Sequence, residues 1–212
     1  MKKTLLIAAA ALVAGIISSE AQVYSANVVG YVSVAVTAGQ LQLISNPLDD
    51  GTNTANSLLG STLPNHSAIQ IWNGSGFASI TKTSSGFAGN PSIPVGTGFF
   101  VKASTNATLT FVGNVVPAPG SGPSSLPMTA GQLQLVGSIL PVSGNFNDTG
   151  TNTLNLIAGL PNHSAIQTWN GSGFVSITKT STGFAGNPGY SVAQGFFVKA
   201  STNSVWTQNL SN

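Results

Sequence analysis

The residues best suited to chemistry in this sequence are two histidines and a few carboxylates. His66 and His163 occupy the same place in two copies of a Pro-Asn-His-Ser segment. After residue 21 the sequence has only three carboxylates, Asp49, Asp50 and Asp148, and it has no cysteine. A zinc or transition-metal site needs several converging ligands of these types. We therefore predict no metal site and interpret both histidines as turn residues.

The carboxylates lie in two loops, residues 46–53 and 145–152, which are rich in oxygen-bearing side chains around a glycine. Calcium takes about six to eight oxygens, usually from several carboxylates, and the alternating Asp-x-Asp-x-Asp-Gly pattern is absent. The first loop offers Asp49 and Asp50, and the second offers Asp148 alone. We favour a role for these residues in capping a short helix and shaping its turn, with calcium as the open alternative.

Catalysis has little support in the sequence. No Gly-x-Ser-x-Gly elbow is present for a serine nucleophile, and no glycine-rich phosphate loop ends in Lys-Ser/Thr. The carboxylate pair of a glycosidase would have to be the adjacent Asp49 and Asp50, and the second copy lacks that pair. We predict that the protein is not an enzyme and has no catalytic residue or cofactor.

The aromatic residues of a repeated hairpin are the best candidates for ligand binding. Two β-rich runs flank the turn at residues 73–76, and Ile69 and Ile71 alternate with Gln70 and Trp72, so the glutamine and tryptophan share a face. The candidate residues are Gln70, Trp72 and Phe77, with Gln167, Trp169 and Phe174 in the second copy. An open face would suit sugar stacking or protein contact. We favour burial in a second core layer, because large aromatics mostly pack.

An internal duplication organises the elements that position these residues. The segment 63–91 recurs as 160–188, and three of the 29 positions differ, as Ile71/Thr168, Ala78/Val175 and Ser85/Thr182. The sequence predicts an all-β fold of two homologous small β-sandwich or barrel-like repeats, each with about five short strands and one short helix. The copies depart from one another at 44–47, where Ile-Ser-Asn-Pro becomes Val-Gly-Ser-Ile at 136–139.

The predicted organisation has four parts. Residues 1–21 form a signal peptide, 22–113 an N-terminal strand plus the first repeat, 114–128 a Pro/Gly linker, and 129–212 the second repeat. The run Pro117 to Pro127 predicts an open loop rather than a strand, so the second copy should lack a counterpart of the N-terminal strand at 27–36. The short helices should span 55–59 and 154–158, capped by Thr52 or Asn53 and by Thr151 or Asn152.

The N-terminus predicts export. Lys2 and Lys3 precede an apolar stretch at 5–17, and Ser19 and Ala21 are the small residues that signal peptidase requires, so cleavage should follow Ala21. The stretch is shorter than the roughly 20 residues of a membrane span, and no later segment is long enough. We predict a secreted protein, extracellular or in the cell envelope, with no membrane span after cleavage.

The expected mature chain carries almost no charge. Four lysines stand against three aspartates, and there is no arginine. Nucleic acid is therefore an unsuitable partner, since basic side chains dominate the binding of phosphate backbones. An uncharged surface also lacks the charges that usually protect strand edges. This predicts association with itself or with a cell-surface or extracellular polymer.

Five segments together carry a resemblance to a known group: residues 22–34 (QVYSANVVGYVSV), 39–53 (GQLQLISNPLDDGTN), 68–77 (AIQIWNGSGF), 96–104 (GTGFFVKAS) and 109–115 (LTFVGNV). As a set they make the chain resemble secreted tandem-repeat β proteins of verrucomicrobial-type bacteria, and the resemblance covers nearly the whole chain. The resemblance implies a secreted β protein. That group carries no assigned activity, so it implies no site residue.

The functional prediction is a non-enzymatic protein of the cell envelope or extracellular matrix that acts by binding, adhesion or assembly. The alternative is a carbohydrate-binding protein that uses the hairpin tryptophans. Exposure of Trp72 and Trp169 on one side of the molecule separates the two hypotheses.

Overall fold

The computed structural model describes residues 29–117 and 122–211, and the predicted signal peptide with its cleavage site lies outside them. The first sequence copy contributes β1 (Val29–Val36), β2 (Leu41–Ser45), α1 (Ala55–Leu59), β3 (Ala68–Trp72), β4 (Phe77–Thr83), β5 (Gly86–Phe87), β6 (Gly98–Lys102) and β7 (Ala107–Asn114). The second contributes β8 (Ser124–Met128), β9 (Leu133–Gly137), β10 (Gly144–Asn145), α2 (Leu156–Gly159), β11 (Ala165–Trp169), β12 (Phe174–Thr180), β13 (Gly183–Phe184), β14 (Gly189–Tyr190), β15 (Gly195–Lys199) and β16 (Ser204–Gln208). The all-β prediction is confirmed.

Each sequence copy forms a five-stranded antiparallel sheet. The orders are β2-β6-β3-β4-β5 and β9-β15-β11-β12-β13, so equivalent strands hold equivalent places. Each copy also has a two-stranded ribbon, β1 with β7 and β8 with β16, and the second copy adds the small pair β10 with β14. Neither helix in the described residues has the length and apolar character that a membrane crossing needs.

The interior strands β6 and β15 are buried on both faces. In β6, Phe99 and Val101 face the core of their own copy, whereas Phe100 joins a separate cluster shared with the other copy. Phe196 and Phe197 divide in the same way in β15. A continuous apolar run is typical of a strand covered on both sides. The sequence Gly-Phe-Phe-Val therefore builds two core layers at once.

The hairpin between β3 and β4 forms as predicted. The Asn73 side-chain oxygen accepts hydrogen bonds from the backbone N–H groups of Ser75 and Gly76, at 3.0 and 2.9 Å. Gly74 has a φ of +97°, which glycine adopts without a steric penalty. The turn sets the pairing of Trp72 with Phe77, and this places the two rings side by side.

The linker prediction is wrong for the last residues of its segment. Ser124–Met128 forms β8, which pairs with β16 as β1 pairs with β7. Pro127 is tolerated because β8 is an edge strand, where a missing N–H removes no ladder hydrogen bond. The second copy therefore does have a counterpart of the N-terminal strand, and β7 itself runs to Asn114.

The helix prediction was correct for α1 and wrong at its cap. The N-cap is Thr54, not Thr52 or Asn53, and Thr54 and Ser57 exchange side-chain-to-backbone hydrogen bonds in a capping box. The second helix begins at Leu156 rather than at residue 154. Its preceding residue, Asn155, has a left-handed φ of +49° that excludes it from the helix.

Candidate functional site

The predicted binding residues of the first copy lie where its sheet meets the second copy. The rings of Trp72 and Phe77 are in edge contact, with centroids 5.0 Å apart. Phe197 of the second copy packs against the same tryptophan, with centroids 5.2 Å apart and planes at 82°. Edge-to-face pairs of this kind contribute about 0.5–1.5 kcal/mol each beyond their buried area.

The contact is reciprocal. Phe100 of the first copy packs against Trp169 at 5.2 Å, and Trp169 packs against Phe174 at 5.1 Å. Six rings therefore form one cluster between the copies: Trp72, Phe77, Phe100, Trp169, Phe174 and Phe197. We call this set the inter-copy aromatic cluster.

Both tryptophan N–H groups are used within the chain. The indole of Trp72 donates to the carbonyl of Leu133 at 2.9 Å, and the indole of Trp169 donates to the carbonyl of Leu41 at 2.8 Å. Each acceptor lies on the edge strand of the opposite sheet, β9 or β2. A buried indole needs such a partner, so these bonds orient both rings toward the other copy.

Backbone contacts close the outer edges of β2 and β9. The N–H of Ser45 donates to the carbonyl of Ala193 at 2.8 Å, and the N–H of Gly137 donates to that of Gly96 at 2.9 Å. Gly195 permits this approach, because a Cβ there would lie 2.6 Å from the carbonyl oxygen of Ile44. The two sheets therefore join by hydrogen bonds as well as by aromatic packing.

The six predicted residues thus lie on the two sheet faces that meet each other, and their aromatic side chains form an interface between the copies. Trp72 and Trp169 are partly buried within the cluster, while Phe77 and Phe174 retain 38% and 40% exposure. Gln70 and Gln167 lie beside the cluster on the same sheet faces and are also partly buried. This arrangement resembles the second core layer that the sequence favoured more than an open platform.

The carboxylates hold turns. Asp49 accepts hydrogen bonds from the backbone N–H of Gly51 at 2.9 Å and from the Asn53 amide at 2.6 Å. Burial opposes the ionisation of Asp50, yet hydrogen bonds from Ser57, Asn53 and Thr52 hold the pKa of Asp50 below its usual value. These bonds are the ones expected of Asp residues in turn and capping positions.

In the second loop, residues 145–152, a single carboxylate also stabilises a turn. The carboxylate of Asp148 accepts a hydrogen bond from the backbone N–H of Asn145 at 2.7 Å. Across residues 29–117 and 122–211, no three side chains of His, Asp or Glu gather in a group that could hold a metal ion. The carboxylates of Asp49, Asp50 and Asp148 therefore accept hydrogen bonds from residues of their own loops.

The histidines sit in exposed turns. His66 and His163 have left-handed φ values of +66° and +67°. Their backbone N–H groups donate to the carbonyls of Lys82 and Lys179, at 2.9 and 2.8 Å. Each histidine therefore has a backbone role at the end of a β strand pair.

The ribbon of β1 and β7 presents an exposed apolar surface. Val29, Tyr31 and Val112 are 68%, 70% and 51% exposed, and Tyr31 lies directly opposite Val112 in the ribbon. Within the described part of the chain, no strand pairs with the outer edge of β1. The sequence predicted this strand, and the scarcity of charge on the chain was the reason to expect an unprotected strand edge.

A groove runs beside the first half of β1. Its volume is about 390 Å³, and its lining combines residues 30–33 with Pro141 and Val192 of the second copy. Sequence reasoning missed these last two residues, because nothing local to them indicates that they lie near a strand more than 100 positions away.

No family model, curated protein or solved structure matches this chain. The function is therefore argued from the geometry of its own residues.

Proposed function

We propose that this chain is a non-enzymatic binding or assembly protein of the cell envelope or extracellular matrix, and that β1 is its contact strand. The observation that supports the proposal is the edge itself. β1 is eight residues long, contains no proline and no charge, and pairs on one side only within the described residues. An edge of this kind is a template for pairing with another chain.

Several of the other sheet edges are blunted. Ser45 and Gly137 bond the edges of β2 and β9 to the opposite copy. β5 and β13 are only two residues long, and β8 contains Pro127, which cannot donate a hydrogen bond. Short strands, covered edges and proline are the usual means of preventing unwanted strand pairing. From Val29 to Ser33, β1 has none of these protections within the described residues.

The charge of the chain favours the same kind of contact. With four lysines and three aspartates after residue 21, neither steering nor repulsion by charge can dominate its association. Backbone hydrogen bonds and apolar burial remain, and β1 offers both. The exposed side chains of Val29, Tyr31 and Val112 lie on the face next to the edge.

The carbohydrate-binding alternative would need open tryptophan faces. The indole N–H groups of Trp72 and Trp169 are bonded to backbone carbonyls of the opposite copy, and their rings pack on Phe197 and Phe100. Sugar stacking at these rings would compete with the packing of the two copies. We therefore do not advance this alternative.

The proposal is tested with the full chain exported from a bacterial host. We expect the protein to be recovered outside the cytoplasm, in multimers or bound to the envelope fraction. Ser33→Lys places a charge on the exposed face of β1. It should raise the amount of free, monomeric protein at least about ten-fold, whereas Thr81→Lys on β4 should not. A protein retained in the cytoplasm, or one equally affected by both substitutions, would contradict the proposal.

A further inference from the structure

We propose that the partner of the β1 edge is β1 of a second copy of this chain, paired antiparallel about a two-fold axis at Tyr31. The inference rests on the proposed function, since it requires β1 to be the contact strand. It adds the identity of the partner and the register. In that register Tyr31 faces Tyr31 of the other copy, Val29 faces Ser33, and Gly30 faces Val32.

The face pattern of β1 limits the registers that are available. Val29, Tyr31, Ser33 and Ala35 are exposed, and the residues between them are partly buried on the inner face. Residues directly opposite in an antiparallel pair lie on the same face of the sheet, so exposed residues must pair with exposed residues. In a symmetric pair of β1 strands, the two-fold axis must therefore pass through a residue that lies opposite its own copy, and not between two residues.

The far end of the edge is already occupied. The Gln42 side chain donates to the carbonyl of Ala35 at 3.2 Å and accepts from the backbone N–H of Thr37 at 2.7 Å. It thus satisfies the backbone groups to which a further strand would bond. An incoming strand that reached Ala35 would have to displace this side chain. Among the residues that the structure describes, nothing pairs with the outer edge from Val29 to Ser33, so this is the free segment.

The second copy supports this assignment of the edge. Gln134 makes the same two contacts there, donating to the Pro127 carbonyl and accepting from the N–H of Thr129. Pro127 occupies the position of Ala35 and has no N–H, as expected of a residue whose backbone groups point away from its paired strand. The glutamine therefore lies on the outer edge in both copies. In the second copy little strand remains beyond it.

A free segment from Val29 to Ser33 has Tyr31 at its centre. The symmetric register about Tyr31 uses all five residues and leaves Gln42 in place. A centre at Val32 would pair Val29 with Ala35, and a centre at Ser33 would pair Tyr31 with Ala35. Both of these registers collide with the Gln42 contacts.

The exposed side chains also match this register. Val112 lies opposite Tyr31 in the ribbon, so pairing at Tyr31 aligns Val112, Tyr31 and the same two residues of the partner copy in one row across four strands. Cross-strand aromatic and aromatic–β-branched pairs stabilise a sheet. The row covers the most exposed apolar side chain of the described residues, Tyr31 at 70%. Neither copy brings a charge on β1 to oppose the contact.

The chain contains no cysteine, so single-cysteine variants report the register directly. We expect Val29→Cys and Ser33→Cys to form no disulfide when each is oxidised alone, and to form a linked dimer when mixed. Only the mixture brings two cysteines opposite one another, within the Cα separation of about 4.4–6.8 Å that a disulfide needs. Val205→Cys, at an exposed apolar position on β16, is the control and should form no disulfide-linked dimer with either variant.

Other outcomes exclude the register. A Ser33→Cys dimer formed alone would place the axis at Ser33. Linked dimers from both variants alone would indicate parallel strands. Loss of envelope retention with Ser33→Lys, combined with no linkage in the mixture, would show that β1 binds a different partner, so that the proposed function stands and the self-pairing fails.

A substitution at the axis provides the second measurement. Tyr31→Lys places two like charges opposite each other and should raise the dimer dissociation constant at least about ten-fold in sedimentation equilibrium. Tyr31→Phe keeps the ring and should preserve the dimer. Equal dissociation constants for wild type and Tyr31→Lys would overturn the proposal.

Discussion

The side chain of Ser45 occupies the space that a side chain at Gly137 would need. A Cβ placed on Gly137 would overlap both side-chain atoms of Ser45. The two residues hold equivalent positions in the two copies, at the ends of β2 and β9. Only one of them can carry a side chain, so the difference between Ser45 and Gly137 has a steric reason where the copies meet.

We expect Gly137→Ser to destabilise the protein by about 1–3 kcal/mol, the usual effect of overfilling a packed contact. Equilibrium urea denaturation measures the change. The exchanged double variant Ser45→Gly/Gly137→Ser is the control and should recover most of the loss, because one side chain again occupies the space. A double variant less stable than Gly137→Ser would show that overlap with Ser45 is not the cause.

Ala193→Gly should stabilise the protein. Ala193 has a φ of +59°, and its counterpart in the first copy is Gly96 at +79°. The left-handed conformation costs a residue with a Cβ about 1–2 kcal/mol. Glycine avoids this strain but loses more backbone entropy on folding, so we expect the free energy of unfolding to rise by about 0.5–1 kcal/mol. Gly96→Ala makes the opposite change at the equivalent position of the first copy. Thermal denaturation should show a higher melting temperature for Ala193→Gly and a lower one for Gly96→Ala.

The tryptophans should matter for stability. Trp72→Phe and Trp169→Phe each remove a hydrogen bond to a carbonyl of the opposite copy, and we expect a loss of about 1–2 kcal/mol. Trp72→Ala also leaves a cavity and should cost about 3–5 kcal/mol. Guanidinium denaturation followed by circular dichroism measures these changes. Val175→Ala, at a 44% exposed position outside the cluster, is the control, and a Trp72→Ala variant as stable as this control would contradict the role of the cluster.

Stability should fall at high pH because of Tyr190. Burial raises the pKa of its phenol above the usual value near 10, against the opposing effect of hydrogen bonds with Ser138 and Ser45. The unfolded chain then loses this proton before the folded chain does, so the stabilisation present below about pH 10 is lost as the pH rises further.

Tyr190→Phe removes that titration and serves as its control. Its unfolding free energy should be lower at pH 7, because the N–H of Ser138 loses the hydroxyl that accepts its bond at 2.8 Å. Above about pH 10 its stability should fall less steeply than that of the wild type, since it has no buried phenol to ionise. Parallel pH profiles for the two proteins would exclude Tyr190 as the source.

Processing stays a prediction from the sequence. Cleavage after Ala21 should leave Gln22 as the first residue, because Ser19 and Ala21 are small enough for signal peptidase. Intact-mass measurement of the exported chain checks this. A mature protein that retains Met1 would contradict it.

Local features were predicted best. The hairpin at Asn73-Gly74 and the helix at 55–59 depend on neighbours within a few residues, and both were correct in the structure. The strand β8 was missed because its composition is that of a loop, and its partner β16 lies about 80 positions further along the chain. Pairing at that distance overrides local propensity.

The sequence by itself determined that β1 and the hairpin strands each have two distinct faces, because side chains alternate along a strand. It also determined that both copies carry the same aromatic residues in the hairpin and in the Gly-Phe-Phe-Val strand, since the duplication repeats them. Only the tertiary structure decided what covers each face. Trp169 meets Leu41 across 128 positions, and Gln42 turns back on Ala35 to close half of an edge. The alternation of side chains along a strand predicts that the strand has two faces. Which residues bury each face depends on contacts between segments distant in the sequence, and no local pattern predicts those contacts.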